Sequence, residues 1–214
     1  MKKITRKKLF FVMVAVIMML THGISTHAAV GSKVYLFGLH DSDGADRYSW
    51  MDNIANIYKM RDSRATVKKY NYFSHVNIKT GLQKANYLTI HTHGSRTGIV
   101  AVNKKGKKTR LKVSAIKKWE GSLSQLNVCY IAACNAAPVA KAIYNKGART
   151  TIGYTVTVNT ERNMFMHRCF NAYFTIGQSV SKSMTSAKNR VLAEYGTCKD
   201  VKNYVIYGDK KQKF

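Results

Sequence analysis

The sequence predicts an α/β fold with a largely parallel sheet covered by helices on both faces. Three observations carry this. Short runs at 33–38, 86–91 and 127–133 read as strands, the first buried and the last apolar. Segments with apolar residues at helical spacing lie between them. The chain has 214 residues, is 45% apolar and holds a single proline, so it can bury a sizeable core and is not disordered throughout.

The elements follow in chain order. Residues 33–38, KVYLFG, read as a short buried strand. Residues 44–60 read as a helix, with Trp50, Met51, Ile54, Ile57 and Tyr58 near helical spacing. A weakly alternating strand at 65–70 and a helix at 76–85 come next. The strand at 86–91 runs into His91-Thr92-His93-Gly94. Residues 98–103 and 109–113 flank a lysine-rich turn and predict a hairpin. Residues 127–133, NVCYIAA, form an apolar strand. A helix at 137–146 follows, with Gly147 as its C-cap, then a strand at 149–153. Asn159 caps a helix reaching about residue 174. A further helix covers 179–195, and a last strand covers 201–207. The aromatic stripe Phe165, Phe170, Tyr173 and Phe174 reads as core packing, with Cys169 buried among it.

The N-terminus has the three parts of a secretory signal. Lys2, Lys3, Arg6, Lys7 and Lys8 precede the uncharged apolar run 9–20, and small and polar residues lead to Ala28 and Ala29. The run is shorter than the roughly 20 residues a membrane span needs. The expectation is a signal peptide over 1–29 and a single domain over 30–214. No transmembrane span would remain after cleavage, and the protein would be secreted and bacterial.

The formal charge is +26, and removing the five leader cations leaves +21. Such an excess attracts polyanions, among them acidic envelope polymers, anionic lipid and nucleic acid. No specific nucleic-acid motif accompanies it. The densest run is 104–112, KKGKKTRLK, an exposed hairpin tip. The four cysteines, Cys129, Cys134, Cys169 and Cys198, are too few for a disulfide scaffold. If Cys134 is a nucleophile, at most one pair forms.

Open α/β sheets carry their sites at the carboxyl ends of strands. His93-Gly94 follows the strand at 86–91, and Cys134 follows the strand at 127–133. A helix N-terminus after Cys134 favours thiolate, and an imidazole nearby takes the proton. Backbone N–H groups in the same turn can stabilise an oxyanion. Gly94, lacking a Cβ, lets a substrate carbonyl approach the backbone. Two other readings stay open. Cys134 can be a core thiol, and His91 with His93 can be two zinc ligands from one side of a strand.

Beyond these residues, the stretch 126–192 resembles the CHAT domains and their clan CD relatives, the caspases, separases, gingipains and clostripain. The resemblance rests on Ile131-Ala132-Ala133-Cys134-Asn135-Ala136, then Gly147-Ala148 and Ile152-Gly153. Phe170, Tyr173, Gly177-Gln178-Ser179-Val180 and Ala187 follow in order, and His93-Gly94 matches upstream. It implies a caspase-like three-layer α/β/α sandwich around a mostly parallel six-stranded sheet. It also implies His93 as general base and acid, Cys134 as nucleophile, and the N–H groups of Gly94 and Cys134 as the oxyanion hole. Asn135 and Ala136 depart from the more usual polar or Thr residues, and Asn159 stands where CHAT sequences often carry Asp.

In caspase-like folds the loop after the first strand helps to form the S1 pocket. Here that loop is 40–46, HDSDGAD, with Asp41, Asp43 and Asp46 among only ten acidic residues. Three readings are open: an S1 carboxylate selecting Lys or Arg, a calcium site, or a turn whose aspartates cap the next helix. The dyad itself requires no cofactor. Two functions are therefore expected in competition. One is a secreted thiol endopeptidase acting on protein or peptide substrates. The other is a catalytically inactive basic protein that binds anionic envelope polymers or nucleic acid.

Overall fold

A computed structural model describes residues 31–39 and 47–214. The signal-like leader and the acidic loop 40–46, with Asp41, Asp43 and Asp46, lie outside the described residues.

Five strands run parallel: β1 (Lys33–Gly38), β2 (Thr66–Tyr70), β3 (Tyr87–His91), β7 (Val128–Ala132) and β8 (Thr150–Tyr154). A sixth, β9 (Tyr204–Gly208), pairs antiparallel with β8. The order across the sheet is β2-β1-β3-β7-β8-β9. Every residue of β3, β7 and β8 is buried. A parallel sheet is covered on both sides, so even the polar Thr89, His91, Thr150 and Thr151 are buried.

Alternate side chains supply the two faces. Phe37, Leu88, Ile90 and Ile131 pack against α2 (His75–Lys84), α3 (Val113–Lys117) and α4 (Ala137–Tyr144) through Ile78, Leu82, Ile116 and Val139. Leu36, Tyr130, Ile152 and Tyr154 pack against α1 (Arg47–Arg61), α5 (Thr160–Thr175) and α6 (Val180–Tyr195) through Ile54, Phe170, Met184 and Val191. The architecture is the expected α/β/α sandwich. The cap read at Asn159 holds: its side chain accepts the Arg162 N–H at 3.1 Å. Ser179, read as the first helical residue, is itself a cap and accepts the Lys182 N–H at 3.3 Å.

A second, three-stranded sheet was legible only as its hairpin. It joins β4 (Gly94–Ser95), β5 (Gly98–Val102) and β6 (Lys108–Lys112), all antiparallel. Two further differences have local causes. Helix α4 ends at a C-cap on Asn145, and Gly147 lies beyond it at φ 101°, where its N–H donates to Tyr144. The last strand starts at Tyr204, because Asp200–Lys202 form a 3₁₀ turn that inserts Val201 into the core. In the aromatic stripe Phe170 and Phe174 are buried, whereas Phe165, Tyr173 and Cys169 are only half-buried. All four cysteines are free thiols.

Candidate active site

Strands β3 and β7 are neighbours at the centre of the sheet, with His91 paired to Ala132. Each chain then leaves the sheet by two residues, which places His93 and Cys134 beyond the same carboxyl edge. The exit is pinned on both sides. The Thr92 N–H donates to Ala132 O at 3.3 Å, and Thr92 Oγ1 donates to Val100 O at 2.8 Å. The His93 carbonyl accepts the Val100 N–H at 2.9 Å. His93 itself is exposed and Cys134 half-buried.

The two turns touch through Gly94. A Cβ there would lie 2.5 Å from the Cys134 carbonyl oxygen, 2.9 Å from Ala133 Cβ and 3.2 Å from the Cys134 nitrogen. The glycine is therefore required by close packing of the histidine turn on the cysteine turn, before any substrate is considered. Gly94→Ala is expected to cost about 1–3 kcal/mol of stability and to slow alkylation of Cys134. Urea unfolding and a labelling time course would measure both.

Sequence reading missed a third segment, the loop from β8 to α5. Its backbone brackets the sulfur: the Val158 N–H points at Cys134 Sγ at 3.4 Å, and the Val158 carbonyl lies 3.7 Å from it. The Asn135 N–H donates to Val156 O at 2.9 Å, and Asn135 Nδ2 reaches Thr157 Oγ1 at 3.5 Å. Asn135 holds φ 51°, a left-handed conformation that asparagine tolerates better than most residues. No side-chain pattern marks this loop, since its contacts to Cys134 are made by backbone groups.

The loop is held from behind by Asp200. Its Oδ2 accepts the Asn159 N–H at 2.9 Å and two Arg162 donors at 3.0 and 3.2 Å. Burial opposes ionisation of this carboxyl, but the Asn159 N–H and the Arg162 guanidinium hold it below the usual carboxylate range. The helix field expected after Cys134 is thinner than the sequence suggested. The Asn135 N–H is already taken by Val156, Pro138 has no N–H, and Ala136 caps α4 without a side-chain bond. Among the described residues the Cys134 N–H has no backbone acceptor.

His91 and His93 do not converge as two ligands from one strand side. The strand ends at His91, so the period of two does not extend to His93. His91 is 2% exposed and packs on Trp50 (ring centroids 5.2 Å apart), while His93 is exposed. Behind Trp50 lies His167, fully buried, with centroids 4.6 Å from Trp50 and 4.3 Å from Tyr130. Burial, and then the nearby His91, push its pKa well below the ordinary histidine value. Among the described residues no three His, Cys, Asp or Glu side chains cluster as a metal site. A cavity of about 300 Å³, lined in part by Trp50, Asn53, Met164, Phe165, Arg168 and Tyr195, lies on the outer helix layer and includes neither His93 nor Cys134.

No protein-family model matches the sequence, and no curated protein matches it. Solved structures do match. The Arg-specific cysteine proteinase gingipain R superposes with a TM-score of 0.65 at 15% identity, over 86% of this chain and 47% of that one. In the complex of the Porphyromonas gingivalis pro- and mature domains the values are 0.63 and 14%, over 86% and 48%. A chain of the Saccharomyces cerevisiae separase–securin complex gives 0.55 at 12% identity, over 92% of this chain and 13% of that one. The chain thus shares the fold of gingipain R and of the matching part of the separase chain. It spans about half the length of the gingipain chains and a small part of the separase chain.

Proposed function

We propose that this protein is a secreted cysteine endopeptidase, with Cys134 as nucleophile and His93 as general base and acid. The observation that carries the reading is the packing of Gly94 on the Cys134 backbone at the paired ends of β3 and β7, in a fold shared with a cysteine proteinase. His93 takes the thiol proton, and the sulfur attacks the peptide carbonyl carbon, forming a C–S bond as the carbonyl electrons move to oxygen. The N–H groups of Cys134 and Gly94 meet that oxyanion. Collapse breaks the C–N bond, and the imidazolium protonates the leaving amine. Water, losing its proton to His93, then displaces the sulfur and releases the acid.

Specificity for a basic residue before the cut is the finer part of the proposal. Asp41, Asp43 and Asp46 supply the carboxylates for it, after the first strand of a chain that is otherwise strongly basic. Gingipain R, which shares the fold, is described as Arg-specific. Calcium in the same loop is the competing use of those carboxylates.

An acyloxymethyl ketone tests the reading directly. With arginine at its recognition position it is expected to modify the protein once, on the peptide that contains Cys134. An aspartate-bearing reagent is expected to react far more slowly. Cys129 and Cys198 are buried and serve as internal controls. Modification spread over Cys169 and Cys134 alike, or none at all, would remove the peptidase reading. Equal rates for both reagents would remove only the basic preference.

A further inference from the structure

The small sheet β4-β5-β6 carries a cation surface that the peptidase chemistry does not use. In β6, Leu111 is buried and fixes the register, so Lys108, Arg110 and Lys112 share the opposite face. Successive members of this row are about 6.8 Å apart along the strand. The tip adds Lys104, Lys105 and Lys107, all exposed. It is an ordered turn: Asn103 Oδ1 accepts the N–H groups of Lys105 at 3.0 Å and Lys107 at 3.1 Å, and Gly106 takes φ 75°.

What these six cations have in common is the absence of a carboxylate partner among the described residues. Four of the described acids pair with cations elsewhere: Asp52 with Lys69, Asp62 with Arg64, Asp200 with Arg162, and Glu194 with Arg190. Arg110 spends Nη1 on two hydroxyls, Ser95 Oγ at 2.5 Å and Thr97 Oγ1 at 3.4 Å. Like charges at this density repel one another and raise the local anion concentration.

We infer that this face is a docking surface for an unbranched polyol-phosphate chain. Charge complementarity selects a polyanion, and a row of point charges along one strand suits a flexible linear chain of phosphodiesters. The face also argues against a nucleic acid. Residues 98–112 contain no Phe, Tyr or Trp, and single-stranded nucleic acids are held by stacking on aromatic side chains. The inference stands on the charge and its placement, and is independent of whether Cys134 is a nucleophile.

The test titrates the intact protein with fluorescent poly(glycerol phosphate) at salt concentrations from about 0.05 to 0.2 M. Log affinity is expected to fall linearly with log salt. The triple variant Lys108→Gln, Arg110→Gln, Lys112→Gln is expected to lower that slope by about 2, at roughly 0.7 for each lost phosphate contact. A tip variant, Lys104→Gln, Lys105→Gln, Lys107→Gln, leaves the strands untouched and is expected to reduce the slope likewise. A control of equal net charge, Lys182→Gln, Lys199→Gln, Lys202→Gln, removes exposed lysines outside this sheet and is expected to leave the slope unchanged. Equal losses in the control and in both hairpin variants would mean diffuse attraction and overturn the inference. Tighter binding of oligo(dT) or duplex DNA than of poly(glycerol phosphate) would overturn it in favour of a nucleic acid.

Discussion

Cys134→Ala is expected to lower hydrolysis of a fluorogenic peptide by at least about a thousandfold, with little change in thermal stability. The large effect follows from the role of the sulfur. It forms and breaks the bond to the acyl group, and alanine has no substitute for it. The small structural effect follows from what the sulfur touches. Its described hydrogen-bond contacts are the Val158 N–H at 3.4 Å and the Val158 carbonyl at 3.7 Å. Those are worth about 1 kcal/mol or less together. His93→Ala is expected to cost nearly as much activity, and the double variant scarcely more, because nucleophile and base act as one unit. A Cys134→Ala protein that kept a tenth of the parent activity would place the chemistry elsewhere.

Acid is expected to destabilise the protein before its carboxylates titrate. His167 is fully buried between Trp50 and Tyr130, and neither ring nitrogen has a hydrogen-bond partner among the described residues. Its folded-state pKa lies below the unfolded value of about 6.5. The unfolded chain therefore binds a proton that the folded chain refuses. Stability is fully present above about pH 6.5 and falls by roughly 1.4 kcal/mol for each pH unit below it, until the folded pKa is reached. Asp62 and Asp200, held below the carboxylate range against their burial by backbone N–H donors and by Arg64 and Arg162, add to the loss only near pH 4 and lower. Denaturant midpoints measured from pH 7 to 5 would show the slope. His167→Leu, which packs without titrating, is expected to flatten it. A midpoint that stays constant over that range in the parent protein would refute the assignment.

The central strands and the two turns were legible in sequence for one reason. The apolar runs at 33–38 and 127–133 mark strands buried on both faces, and His93-Gly94 and Cys134 follow strand ends. The helix start at Asn159 was legible because a side chain makes the cap. What escaped the sequence is made by the backbone. The loop around Val158 grips the sulfur with its own N–H and carbonyl, so any residue there reads alike. The reason for Gly94 was half visible. Its missing Cβ was legible, but the partner at that spot is the Cys134 carbonyl. His91 misled by its spacing, since H-x-H converges only while the strand continues. Val201 misled by its character, because an apolar residue in a 3₁₀ turn looks like the start of a strand.

The hairpin between β5 and β6 also bears on how the protein is held together. The covalent path from His93 to Cys134 runs through its exposed tip, but their spatial relation does not depend on that path. It is set by the five-residue pairing of β3 with β7 and by the apolar cluster beneath, to which Ile99 and Leu111 on either side of the tip both belong. A backbone cut near Gly106 would leave two polypeptides, one bearing the imidazole and the other the thiol. The β5–β6 ladder from Gly98↔Lys112 to Val102↔Lys108 would still join them. In that form the protein would be a heterodimer of its own halves, with its reactive groups donated one by each chain.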